Sequence, residues 1–148
     1  MQGFRRFAFA AICAGGMIVP SAALAAGTGA PAAGVWASGP HQGFTVAKNR
    51  KRVSGVSVSL KSCGRPGIAR VLGSQKISTL TLGGYTNWVI GRPDHSGNIH
   101  GLAVRIKVGK QVRRGALSFI WNVNEQTGND YGQLAIPGCT VTFHAHHK

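Results

Sequence analysis

Residues 99–124 have the sequence IHGLAVRIKVGKQVRRGALSFIWNVN, which contains two runs of alternating apolar and polar residues. Apolar side chains recur at every second position from Leu102 to Val108 and again from Leu117 to Val123. A period of two predicts a strand with one face in a core and the other face in water. The segment 109–115 between the runs is polar and has a glycine at each end. The pattern therefore predicts an antiparallel hairpin with a long connection.

Short strands with turn residues between them are predicted along the rest of the chain. They cover Phe44–Ala47, Val53–Leu60, Ile68–Leu72, Ile77–Leu82, Tyr85–Ile90, Gln133–Ile136 and Cys139–Ala145. No window after the N-terminal region repeats with the 3.6-residue period of a helix. Residues 43–148 are therefore predicted to form one all-β domain, a small antiparallel β-sandwich or else a barrel.

The N-terminal region predicts export. Arg5 and Arg6 precede an apolar run from Phe7 to Pro20, and the Ala-x-Ala pattern Ala23-Leu-Ala25 follows it. This order is typical of a secretory signal peptide over residues 1–25, with an uncleaved membrane anchor as the alternative. A lipoprotein cysteine at Cys13 is disfavoured, because the bulky Ile12 precedes it.

Residues 26–42 are mostly Ala, Gly, Pro and Ser with one tryptophan, Trp36, and they show no periodicity. This composition predicts a flexible leader between the signal peptide and the domain. An edge strand around Val35–Ala37 is the alternative.

Two cysteines, Cys63 and Cys139, remain after removal of the signal peptide. An even cysteine count in an exported chain favours a disulfide, and two free thiols are the alternative. The bond would close a loop of 77 residues, counting both cysteines. Loop-closure entropy for that length amounts to roughly 4.5 kcal/mol.

The chain resembles a group of small exported bacterial proteins, often from actinobacteria. The resemblance runs from Phe44-Thr-Val46 through Val53–Val58 and Cys63 to Gly138-Cys-Thr-Val-Thr-Phe143. It covers about residues 43–145. It implies export and a one-disulfide β-sandwich, and it implies no activity. The present chain differs by being far more basic.

The charge balance is strongly positive, with 17 Lys and Arg against 3 Asp and Glu. Without Arg5 and Arg6 the balance is 15 against 3, or about +12. Such a charge favours polyanionic partners. The candidate polyanion-binding residues lie on the first hairpin turn and on the central hairpin: Arg50, Lys51, Arg52, Arg105, Lys107, Lys110, Arg113 and Arg114. Tyr85, Trp88 and Tyr131 are candidate stacking platforms, with packing in the core as the alternative.

Residues for acid–base catalysis are scarce, since only Asp94, Glu125 and Asp130 are acidic. Asp94-His95-Ser96 has the residue types of a hydrolase triad, but adjacent residues cannot converge as a triad requires. Residues 93–97 are therefore predicted to form a turn.

Near the C-terminus, His144 and His146 would lie on one face of a strand, about 6.5–7 Å apart. Two imidazoles there form a candidate metal site, although tight binding needs three or four ligands. The alternative is a polar terminus that binds metal weakly, if at all.

Together these features predict a secreted, basic binding module. Its expected partner is an anionic polymer or surface, such as a cell-wall polymer, a lipid surface or a nucleic acid. The alternative is a small secreted enzyme or a weak metal-binding protein that uses the terminal histidines. No cofactor is expected, no transmembrane segment remains after cleavage, and the protein is expected to be a monomer.

Overall fold

The computed structural model describes residues 30–82, 84–121 and 130–148. These residues form mostly strands, with one short 3-10 helix, Lys61–Cys63. The strands are β1 Gly34–Gly39, β2 Gln42–Val46, β3 Arg52–Ser59, β4 Ile68–Val71, β5 Ser74–Lys76, β6 Ser78–Leu82, β7 Tyr85–Ile90, β8 Arg92–Pro93, β9 Ile99–His100, β10 Leu102–Val108, β11 Gln111–Trp121, β12 Asp130–Ile136 and β13 Cys139–His147. The predicted signal peptide, residues 1–25, lies outside the described residues.

Eight antiparallel strands close into a ring in the order β10, β4, β3, β2, β1, β13, β12 and β11, with β11 pairing again with β10. The hairpin β6–β7 extends from β11, β5 pairs with β3, and β8–β9 form a separate ribbon. Cys63 and Cys139 form a disulfide with their Cα atoms 5.9 Å apart. The predicted all-β antiparallel fold with one disulfide is confirmed. Of the two architectures considered, the strand pairing follows the closed one.

The alternating pattern of the sequence corresponds to an inner and an outer face of the ring. In β10, Val104 and Ile106 are buried, while Arg105 and Lys107 are exposed. The same alternation holds along β13. An aromatic cluster fills part of the core and consists of Trp36, Phe44, Phe119, Trp121 and Phe143.

The flexible leader predicted over residues 26–42 is wrong from Gly34 onward, because β1 is part of the ring. It pairs with β2 on one side and with β13 on the other, so it is not the edge strand of the alternative either. Trp36 is fully buried, and its indole N–H donates to the Ala32 carbonyl at 2.9 Å. Burial of this one large aromatic side chain thus orders a segment that otherwise has few apolar side chains to bury.

The long connection predicted over residues 109–115 is a two-residue turn at Gly109-Lys110, since Val108 pairs with Gln111. Gly109 has φ +58° while Lys110 does not have a positive φ, which together indicate a type II′ turn. Gly115 lies inside β11, where an added Cβ would come within 2.5 Å of the Ala135 carbonyl oxygen. This glycine therefore permits a close approach of two strands.

Within the described residues, no helix has the length and apolar character needed to cross a membrane.

Candidate functional site

The cationic side chains of the ring strands all lie on one half of the ring. Four contiguous strands, β3, β4, β10 and β11, carry every Lys and Arg of these strands: Arg52, Arg70, Arg105, Lys107, Arg113 and Arg114. The other four contiguous strands, β2, β1, β13 and β12, contain none. Strand order therefore concentrates a charge that composition alone leaves unplaced.

The centre of this half is formed by four exposed cations, Arg70, Arg105, Lys107 and Arg114, which we call the cationic arc. Arg105 lies directly opposite Arg114, and Lys107 lies directly opposite Arg70. Paired positions on antiparallel strands place side chains about 4.5–5.5 Å apart at Cβ, and alternate positions on one strand are about 6.5–7 Å apart. The arc is thus a compact patch of like charges on a rigid sheet.

No carboxylate offsets the arc within the part of the chain that the structure describes. The only ion pair there joins His100 and Asp94 at 3.0 Å, and it is an ion pair only when the imidazole is protonated. Unpaired like charges at this spacing repel one another, and an anion bound over them would relieve that repulsion.

The two cationic turns predicted from the sequence lie at opposite ends of the ring, with the arc between them. Lys110 occupies the β10–β11 turn. Arg50 and Lys51 occupy the β2–β3 turn, and Arg52 follows as the first residue of β3. The Arg52 guanidinium donates to the hydroxyl and the carbonyl of Ser74 at 2.8 and 3.0 Å. The structure therefore does not bring all eight predicted residues into one patch.

Arg113 and Arg114 were predicted to share a loop, but they lie on opposite sides of β11. Arg114 is paired with the exposed Arg105, whereas Arg113 is paired with the buried Ile106. The Arg113 guanidinium donates to the Gln111 side-chain oxygen from Nε at 3.2 Å and from Nη2 at 2.6 Å. Arg113 therefore belongs to one end of the ring and not to the arc.

Arg70 is not among the residues predicted from the sequence, and neither is Lys76, which lies opposite Arg52. The alternation of Ile68–Val71 was enough to place Arg70 on an outer face. Its position beside Lys107 depends on the β4–β10 pairing, for which local sequence gives no signal.

His144 and His146 lie on the exposed face of β13, as the alternation predicted. His147 is on the other side, where its ring packs against Trp36 and its Nε2 lies 3.0 Å from the Ala33 carbonyl oxygen. Among the described residues, no three His, Cys, Asp or Glu side chains come together as a metal site requires. Weak metal binding by His144 and His146 stays a prediction.

Asp94 organises the turn between β8 and β9. Its carboxylate accepts hydrogen bonds from the backbone N–H groups of Ser96 and Asn98, from the Asn98 amide and from His100. These bonds, those of Asn98 above all, lower the pKa of Asp94 from its ordinary 3.8 to about 2. The predicted turn is confirmed, and this acid has a structural task.

Three aromatic residues, Tyr85, Trp88 and Tyr131, were candidates for stacking on a ligand. Trp88 is half-buried and packs against the core. Tyr85 and Tyr131 belong to β7 and β12, and their side chains lie outside what the structure describes, as does Glu125.

Comparisons with protein-family models, with curated proteins and with solved structures found no match for the chain. The resemblance to exported one-disulfide β-sandwich proteins therefore stays a prediction.

Proposed function

We propose that the protein is a secreted binding module for anionic polymers, and that it contacts them through the cationic arc. The observation that carries the proposal is the division of the ring into four strands that hold all its strand cations and four that hold none. A charge needed only for solubility would have no reason to be divided in this way.

The arc has the chemistry of a polyanion contact. Three of its four residues are arginines. A planar guanidinium group can donate two parallel hydrogen bonds to two oxygens of a phosphate, sulfate or carboxylate. Strand pairing fixes the backbone beneath them, so binding orders the side chains alone. A surface of this kind recognises charge density rather than a particular monomer sequence.

The secreted location rests on two features. The disulfide between Cys63 and Cys139 is typical of oxidising compartments. The sequence of residues 1–25 supplies the export signal that such a location needs. The partners met there would be cell-wall polymers, anionic lipid surfaces or extracellular nucleic acid.

The alternative function gains no specific support. Asp94, the acid whose side chain the structure describes, is held within a turn by hydrogen bonds. The two exposed histidines of β13 acquire no third ligand among the described residues.

The salt dependence of binding tests the proposal. Heparin, duplex DNA and vesicles with an anionic phospholipid are titrated with the protein between 50 and 200 mM salt. Each neutralised phosphate adds about 0.7–0.9 to the slope of log affinity against log salt. Contact through all four residues of the arc therefore predicts a loss of about two orders of magnitude on DNA over this range.

A matched pair of double variants locates the contact. Arg105→Gln/Arg114→Gln removes two charges from the arc, and the DNA slope should fall by about 1.4–1.8. Arg92→Gln/Lys148→Gln removes the same charge from outside the arc and should leave the slope nearly unchanged. An equal fall in both variants would show that the whole charge acts without a site. No binding at 50 mM salt would reject the proposed function.

A further inference from the structure

One end of the ring contains a pocket of about 180 Å³ beside the disulfide. Three separate parts of the chain supply its walls: the segment after Cys63, the β12–β13 turn before Cys139, and the β10–β11 hairpin. The disulfide joins the first two of these walls. Closure of the ring therefore assembles the pocket, and the disulfide links two of its walls.

The polar side chains of the pocket are Arg65, Gln111 and Arg113. The Gln111 side-chain oxygen already accepts two bonds from the Arg113 guanidinium. These three side chains therefore present N–H donors and two positive charges to a ligand. Among the described residues, no Asp or Glu lines the pocket. This donor set matches an anion and would repel a cation.

The remaining lining is apolar. Leu60 and Ile136 are 1% and 8% exposed, Val108 is half-buried, and Pro66 and Pro137 complete the wall. A volume of this order suits a small organic molecule, since a cavity of about 150 Å³ binds benzene. A bare inorganic ion would leave this apolar surface uncovered.

We propose that the pocket binds a small amphiphilic carboxylate, with its charge on Arg65 and Arg113 and its short apolar body on Leu60, Val108 and Ile136. Guanidinium groups suit a carboxylate because they donate two parallel hydrogen bonds to its oxygens. The site is independent of the cationic arc, since Arg113 and Arg114 face opposite sides of β11.

Isotope-labelled protein with the disulfide intact is titrated with hexanoate, hexanamide and acetate, and two-dimensional NMR spectra are followed. Hexanoate should give saturable shifts of backbone amides at residues 60–65 and 108–113. Hexanamide, which lacks the charge, and acetate, which lacks the apolar body, should each bind more weakly. Spectral dispersion checks the fold of every variant.

Adjacent arginines provide the control. Arg113→Gln should weaken hexanoate binding about fivefold, the upper range for a solvent-exposed ion pair, and Arg114→Gln should not change it. Arg65→Gln repeats the test from the opposite wall in case Arg113→Gln fails to fold. Heparin affinity, measured in parallel, should fall in Arg114→Gln much more than in Arg113→Gln, so the two proposals fail separately.

Several results would overturn the proposal. One is the absence of saturable shifts up to about 50 mM hexanoate, far above a millimolar Kd. Equal affinity for hexanoate and hexanamide would remove the anion site, and equal affinity for hexanoate and acetate would remove the apolar one. An equal loss in Arg113→Gln and Arg114→Gln would mean that the effect is general charge.

Discussion

Trp36 connects the first strand of the ring to the aromatic core. Its ring stacks on Phe44, with centroids 6.0 Å apart, and meets Trp121 edge to face at 6.3 Å. The third partner is His147 at the end of β13. Because β13 and β2 flank β1 on its two sides, this side chain fills the core at the place where the first and the last strand meet.

Replacing Trp36 with Ala should therefore destabilise the protein by about 3–5 kcal/mol, the usual cost of removing a large buried aromatic side chain. Urea unfolding followed by circular dichroism measures this loss. Val35→Ala is the neighbouring control, because Val35 is 52% exposed and its loss should cost no more than about 0.5 kcal/mol. A loss below about 1 kcal/mol in Trp36→Ala would contradict the placement of β1 in the ring.

At the scale of elements, the β8–β9 ribbon depends on one carboxylate. The Asp94 carboxylate accepts four hydrogen bonds, three from the turn and one from His100 of β9. The Asp94 backbone N–H also donates to the Asn98 carbonyl at 2.9 Å, which closes the turn. These bonds favour the ionised form, which is why the pKa of Asp94 falls to about 2.

The sign of the pH effect follows from this shift. A carboxyl group whose pKa is lower in the folded state stabilises the fold above its unfolded pKa near 4, and this contribution is lost as the pH falls towards 2. A carbon-detected NMR titration of the Asp94 carboxyl should give a midpoint near 2. The His100 ring resonances should shift over the same range, since His100 contacts the carboxylate. A midpoint near 3.8 would show that the turn does not hold the carboxylate.

The β10–β11 hairpin illustrates the limit of pattern interpretation at this scale. Both strands were recognisable from alternation, but the polar residues at the start of β11 resemble a loop. Val112 is 48% exposed and Gln111, Arg113 and Arg114 are all exposed, so this half of the strand has no buried residue to mark it. Its strand form comes from the pairing with β10, which is a tertiary contact.

At the scale of the whole molecule, the disulfide joins the short helix that follows β3 to the last strand, β13. Cys63 and Cys139 are 76 positions apart, and the 3-10 helix at Cys63 contacts β13. Closing a loop of that length restricts the unfolded chain. The lost entropy raises the free energy of the unfolded state by roughly 4.5 kcal/mol. Because total stability is typically about 5–15 kcal/mol, the bond supplies a large share of it.

Reduction should accordingly lower the unfolding free energy by about 4 kcal/mol, measured by urea unfolding with and without a reductant. The double variant Cys63→Ser/Cys139→Ser should match the reduced protein and should not respond to reductant. Mass spectrometry of the non-reduced protein should link the two cysteine peptides. Two thiols open to alkylation in the non-reduced protein would contradict the bond.

Several properties followed from the sequence by itself because they are local or can be counted. The period of two identified most strands and their inner faces, the two cysteines after residue 25 indicated the disulfide, and the excess of Lys and Arg gave the net charge. Other properties required the tertiary structure, because strand order and register join positions that are distant along the chain. Pairing closed the ring, placed β1 between two neighbours and brought Arg70 beside Lys107. It also separated Arg113 from Arg114 and assembled the end pocket from three segments, since the direction of a side chain on a paired strand is fixed by its register.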